Sequence, residues 1–156
     1  METEVRLESL AGTDRLPSAF DGLRNQARTE GYRFLERLAD DWSRGATRFN
    51  GEGEALLLGE VDGSLAGVGG VTEDPTVPGA LRMRRFYVHP SFRRRGIARA
   101  IADDLLRRCA GTGKRVTVNA AITTAAGFWE ALGFERCSEP GVTHLLPARK
   151  RSIRSD

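Results

Sequence analysis

The sequence predicts an α/β (α+β) fold: a mixed central β-sheet of about six to seven strands flanked by about four helices. One domain is expected over residues 1–147, with a short basic tail over 148–156. Three observations carry this. Segments of period-two apolar alternation and segments of helical spacing follow one another along the chain, which is the pattern of a sheet interleaved with helices. Two apolar runs are joined by Asp62-Gly63, the commonest kind of hairpin turn pair. The 156 residues are 40% hydrophobic and 29% charged, without an internal repeat or a low-complexity tract, as in one ordinary globular domain.

The elements follow in order. "EVRLESL" sets Val5 and Leu7 on one face of a first strand. From Pro17 to about Trp42 the spacing is helical: Phe20 and Leu23 fall three apart, and Phe34, Leu35, Leu38 and Trp42 share a later face. Gly31 divides two helices, the second ending near Gly45. The hairpin "EALLLGEVDGSLAGVGGV" comes next, and its glycines weaken a strand unless something approaches the backbone closely. "EDPTVPGA" is a turn, Leu81–Val88 a strand, Gly96–Cys109 a helix and "KRVTVNA" a strand. A helix over about Thr124–Leu132 and short strands around Phe134 and Val142–Leu146 complete the domain.

The strand Leu81–Val88 slips in phase. Leu81 and Met83 are apolar at odd positions, Phe86 and Val88 at even ones, with Arg84 and Arg85 between. A one-residue slip would turn half the apolar set to the wrong face. A β-bulge near Arg84-Arg85 restores the match.

The pI near 9.3 raises the question of a nucleic-acid partner, yet Arg149, Lys150, Arg151 and Arg154 against Asp156 place the whole net charge of +3 in the tail. With no fold-wide basic face, no nucleic acid is expected as a partner. No apolar run reaches the length of a membrane span, and the first residues are not those of a signal peptide, so no membrane is expected either. Cys109 and Cys137 lie far apart, which suits a cytoplasmic protein with both thiols buried as small apolar groups.

In "YVHPSFRRRGIARAI" three arginines precede a glycine that opens a helix. A helix start carries unpaired N–H groups and the positive end of the dipole, so it attracts anions. Gly96 and the small Ala98 leave its backbone approachable, while Arg93, Arg94, Arg95 and Arg99 add cations suited to phosphate. The segment is built like a pyrophosphate site. Neither standard nucleotide motif is present: "GTGKRV" lacks the hydroxyl after Lys114, and no G-x-G-x-x-G follows a strand.

"VHPSFRRRGIA" resembles the acetyl-CoA signature of the GNAT superfamily of N-acetyltransferases, with Arg93, Gly96 and Ala98 at its defining positions and Val88 and Pro90 upstream. "AAGFWEALGFE" resembles the family's second motif, and the order of elements agrees over nearly the whole domain. The resemblance implies a GNAT-like sheet and acetyl-CoA as cosubstrate, without a metal. Backbone amides from Arg93 through Ile97 to Ala98 would cradle the pyrophosphate, and the backbone of Phe86, Tyr87 and Val88 would pair with the pantetheine arm. Backbone at the bulge would polarise the thioester carbonyl. An amine would attack directly, with no covalent enzyme intermediate.

Two positions depart from the family pattern: Ile122 and Trp129 stand where an Asn and a Tyr are common. An indole N–H cannot protonate a leaving thiolate. With thiol pKa values of about 8.5, water can do so. Trp129 either lines the acyl pocket or packs the core. Glu73 is the first candidate for the proton acceptor, followed by Glu54 and Asp41. Arg84 and Arg85, with Arg82, either bind a substrate carboxylate or pair with carboxylates of the first two helices. His89 and His144 are read as structural. The function expected is acetyl transfer to a primary amine of a small molecule or peptide, in a possible homodimer. The alternative is an acyl-CoA-binding sensor module without turnover.

Overall fold

The computed structural model describes residues 3–10, 15–120 and 123–148. Ile122 and the tail from residue 149 onward lie outside the described residues. The order is β1 (Arg6–Ser9), α1 (Phe20–Thr29), α2 (Phe34–Ser43), β2 (Ala55–Val61), β3 (Ser64–Glu73), β4 (Ala80–Val88), α3 (Ile97–Ala110), β5 (Arg115–Val118), α4 (Thr123–Ala131), β6 (Glu135–Arg136) and β7 (His144–Leu146). The strands make one mixed seven-stranded sheet in the order β1-β2-β3-β4-β5-β7-β6. All neighbours are antiparallel except β4 and β5, which are parallel and joined through α3.

Both short helices end as their sequences predict. Gly31 and Gly45 have φ of +91° and +70°. The pairs Tyr32 N–H to Ala27 O and Ala46 N–H to Asp41 O, both 2.9 Å, close a Schellman motif at each end. At the hairpin, Asp62 and Gly63 both take positive φ, as a two-residue turn between twisted strands requires.

The sheet separates two cores. On one face α1 and α2 bury Phe20, Leu23, Leu35, Leu38 and Trp42 against Leu56, Leu58, Val68 and Tyr87. On the other, α3 buries Ile97, Ile101 and Leu105 against Leu57, Leu81, Met83 and Val116, with Trp129 and Phe134 beside them. Each such apolar side chain contributes about 1.5–3 kcal/mol by leaving water.

The approach that the glycines of β3 imply is that of α3. A Cβ on Gly67 would stand 3.0 Å from Ile97 Cγ2, and one on Gly69 would stand 2.8 Å from Ile101 Cγ2. Any larger residue would push the helix off the sheet.

The turn between β3 and β4 is held by the buried Asp74. Its carboxylate accepts from Thr76 N (2.7 Å), Thr76 Oγ1 (2.9 Å), Val77 N (3.0 Å) and Thr117 Oγ1. Burial works against its charge, but these hydrogen bonds outweigh it and hold the carboxyl below the ordinary range. Of the two thiols expected inside, Cys109 is buried, but Cys137 is only partly covered because it packs at the rim of a small cluster of Val77, Ala80 and Val142.

Candidate active site

The phase slip in β4 is a bulge. Val68 pairs with Tyr87 and Gly70 with Arg84, so Gly69 alone faces Arg85 and Phe86. Arg85 takes φ of +63°, a left-handed conformation that few non-glycine residues adopt. The bulge puts Phe86 and Val88 on the α3 face with Leu81 and Met83, and Tyr87 on the α1–α2 face. It sits one residue beyond the expected Arg84-Arg85 centre.

At the same place the sheet opens. The parallel ladder pairs Ala80–Met83 with Arg115–Val118 and ends there. β4 runs on to Val88 with no strand paired on its β5 side among the described residues. Since β5 itself ends at Val118, the backbone of Phe86, Tyr87 and Val88 borders a wedge left beyond the end of that strand.

The start of α3 follows. His89 Nδ1 accepts from Ser91 N at 3.1 Å, closing a single turn at Pro90–Phe92, and this gives His89 a structural task. Arg94 (φ +64°) and Gly96 (φ +79°) then bend the chain into the helix. No side chain caps it, so the first-turn amides of Ile97, Ala98 and Arg99 keep their unpaired character. A Cβ on Gly96 would meet nothing within 4 Å, so the space above this terminus is open.

The arginines divide. Arg93 is bound inward: its guanidinium grips Glu30 with contacts of 2.9 and 2.6 Å, and its Nε donates to Val88 O at 3.0 Å. Glu30 also accepts from the buried Tyr87 hydroxyl. Arg93 first, and then Tyr87, hold the Glu30 carboxyl below its usual range against the effect of burial. Burial, and secondarily Glu30, push the Tyr87 phenol up. Arg95 lies over the Phe92 ring at 5.6 Å and Arg99 reaches Asp103 at 3.7 Å, both exposed beside the helix start. Arg94 is exposed there too.

Trp129 is 4% exposed. Its ring meets those of Phe86 (4.9 Å), Phe128 (4.9 Å) and Phe134 (5.3 Å) edge-on. It packs the core and touches the wedge through Phe86. His144 is also structural, its Nε2 lying 2.7 Å from Glu130 Oε2 and its Nδ1 2.8 Å from Thr143 Oγ1.

On the α2 side of the bulge lies a cleft of about 360 Å³ lined by Thr47, Arg48, Asn50, Thr72, Glu73 and Arg84. Glu54, also on its wall, has both oxygens engaged by the amides of Gly51 (2.9 Å) and Glu73 (2.7 Å). Glu73 is exposed and pairs in register with Leu81, at the far end of the β3–β4 ladder from the bulge. Asp41 is nearer, 3.9 Å from Arg85 Nη2, and is shared with Arg44 at 3.4 Å. Arg82 donates to Gly141 O at 2.5 Å. Arg84 reaches Thr72 Oγ1 at 3.3 Å, and burial followed by the charge of Arg82 lowers its pKa. The contacts of Glu30 and Thr72 have no motif that would disclose them in the sequence.

The comparisons with known proteins agree with this fold. A comparison with curated protein sequences finds no match. Among solved structures, one assigned as an acetyltransferase from Exiguobacterium sp. 255-15 superposes with a TM-score of 0.80 at 23% identity, over 92% of this chain and 93% of that one. The ribosomal-protein-S18-alanine N-acetyltransferase of Escherichia coli is similar at a TM-score of 0.66 and 17% identity, over 97% and 98%. The PaiA N-acetyltransferase of Thermoplasma acidophilum, solved with coenzyme A, is similar at 0.61 and 14%, over 91% and 96%. The model of the acetyltransferase (GNAT) domain matches residues 24–148. That match spans most of the chain, with strands β2 to β7 of the mixed sheet inside it, and this chain is a member of the GNAT acetyltransferase family.

Proposed function

We propose that this protein transfers an acetyl group from acetyl-CoA to a primary amine of a small molecule or peptide by direct attack. The observation that carries the reading is the stretch of β4 that runs on beyond the end of β5 and leads into the α3 terminus. Amides from Arg93 to Ala98 hold the pyrophosphate, with Arg94, Arg95 and Arg99 adding charge from outside. Arg93 contributes its amide, because its side chain is engaged by Glu30. The backbone of Phe86, Tyr87 and Val88, on the side away from β3, takes up the pantetheine arm as an added strand, with Val88 O already accepting from Arg93 Nε.

Backbone at the bulge polarises the thioester carbonyl. The amine nitrogen attacks that carbon, the N–C bond forms and the C–S bond breaks. An ammonium acceptor gives up two protons, one to the thiolate through water and one to solvent. Trp129 supplies neither, being buried without an acidic group. Of the carboxylates, Asp41 stands nearest the bulge and is the better-placed relay for the amine proton, while Glu73 serves the outer cleft.

The test is CoA thiol release from acetyl-CoA against separate pools of amino acids, polyamines, aminoglycosides and peptides. Release confined to one pool supports the reading and names the acceptor class. Silence in every pool, with acetyl-CoA still raising the melting temperature, would instead support a binding module without turnover.

A further inference from the structure

Among the described residues, one arginine that lines the acceptor cleft has no carboxylate at ion-pair distance. Arg84 lines the cleft, and Arg82 and Arg85 flank it along β4. Of the nearby carboxylates, Glu54 has both oxygens tied to backbone amides. Asp41 is divided between Arg44 and Arg85, and reaches the latter only at 3.9 Å. Glu73 makes no ion pair among the described residues.

Arg84 is the residue left over. Its guanidinium is partly buried, and its one polar partner among the described residues is the neutral Thr72 hydroxyl at 3.3 Å. Arg85 beside it has a side chain only 14% exposed and is held in a left-handed conformation by the bulge. Two adjacent guanidiniums taken out of water, with no close carboxylate on one and a distant one on the other, repel each other. Burial first, then Arg82 acting on Arg84 and Arg84 acting on Arg85, disfavours both charges, and the more distant Asp41, Asp74 and Glu54 offset only part of this. A carboxylate from outside would relieve it by a charge-assisted hydrogen bond.

Location decides what the anion belongs to. The CoA phosphates go to the start of α3, whereas Arg84 faces the cleft on the α2 side, next to the bulge where the thioester carbonyl is polarised. A planar guanidinium with a hydroxyl beside it matches a planar carboxylate. The volume of about 360 Å³ falls at the small end of ligand sites (~300–1,000 Å³).

We infer that the acceptor is a small amino acid-like amine whose carboxylate is held by Arg84, with Arg85 and the Thr72 hydroxyl, on the α2 side of the β4 bulge. This rests on the acetyl-transfer reading above and specifies its substrate. Arg84 thereby orients the amine toward the wedge and sets specificity. Polyamines and aminoglycosides, being cationic, are repelled from the same cleft.

The experiment compares acceptors in matched pairs: α-amino acids, β-alanine and γ-aminobutyrate, each against its carboxamide, with spermidine as the cationic control. CoA thiol release is followed in the parent, in Arg84→Gln and in Arg84→Lys. The best acid is expected to exceed its amide by about tenfold or more in kcat/KM in the parent, the size of one charge-assisted contact. In Arg84→Gln that preference should fall to within about threefold, mainly through KM, with Arg84→Lys in between. The rise in melting temperature with acetyl-CoA should be unchanged in both variants.

Equal use of acid and amide, preference for spermidine, or a preference that survives in a folded Arg84→Gln overturns this proposal and leaves acetyl transfer standing. Silence with every carboxylate amine overturns it as well. If no amine releases thiol and acetyl-CoA does not stabilise the protein, the acetyl-transfer reading fails with it.

Discussion

Glu30 joins the C-terminal end of α1 to β4 and to the loop before α3, so its removal should loosen all three. In Glu30→Ala the Tyr87 hydroxyl, in a side chain 5% exposed, loses its acceptor. Leaving such a buried group unpaired costs about 1–3 kcal/mol. The Arg93 contact adds little, since that side chain is 42% exposed and screened by water, at about 0–1 kcal/mol. The sum is about 1–4 kcal/mol, and a chain of this size loses about 2–4 °C in melting temperature per kcal/mol, so a fall of about 2–16 °C is expected. Glu30→Gln keeps an acceptor for Tyr87 and should lose less. The sign with pH is also set. A carboxyl whose folded pKa is depressed stabilises fully above its ordinary value of 4.5, and that contribution disappears as pH falls through the lower folded value. The gap between parent and Glu30→Gln, followed by thermal unfolding, should therefore narrow from pH 6 toward about pH 3. A gap that stays constant over that range, or an alanine variant as stable as the parent, would refute the reasoning.

Further outcomes concern the helix start and the thiols. Gly96→Ala should cost only the left-handed strain of an L-residue, about 1–2 kcal/mol, because its Cβ meets nothing within 4 Å. Its acetyl-CoA Kd should nonetheless rise by about tenfold, and Gly96→Glu should abolish binding, both measurable by calorimetry. Undiminished affinity in a folded Gly96→Glu would remove this loop from the cosubstrate site. Burial pushes the Cys109 thiol up to about 11, whereas Cys137 is partly exposed. A chromogenic disulfide reagent should therefore titrate one thiol in the native protein and a second only after unfolding. Two fast thiols would contradict the packing of α3.

Much of this could be read from the chain because it rests on local pattern. The odd-to-even shift between Met83 and Phe86 is the imprint of a bulge, since only an inserted residue lets both lie against α3. The glycines of β3 likewise report the contact with Ile97 and Ile101, and Gly31 and Gly45 mark their helix ends. The helix start with Gly96 was legible because its parts are consecutive. Long-range pairings leave no such trace. Tyr87 and Glu30 are 57 residues apart, and Arg93 and Glu30 are 63 apart. Nothing in the letters tells that Arg93 turns inward while Arg94 stays exposed. The same holds for the proton acceptor: Glu73 ends a strand that approaches the site in sequence, but its register with Leu81 takes it away from the bulge. Asp41 arrives there from a helix whose placement depends on its opposite, apolar face.

Where the ladder to β5 stops, β4 changes from an interior strand to an edge strand in the middle of a sheet. Edges are hazards, because their unpaired N–H and C=O groups can recruit the strand of another molecule. This one is short, from Arg84 to Val88, and Pro90, which has no N–H to donate, follows just beyond it. Arg84 and Arg85 place like charges at its entrance, so two copies brought together there would repel. The features that leave the wedge open to a narrow, amide-bearing guest thus also guard it against self-association.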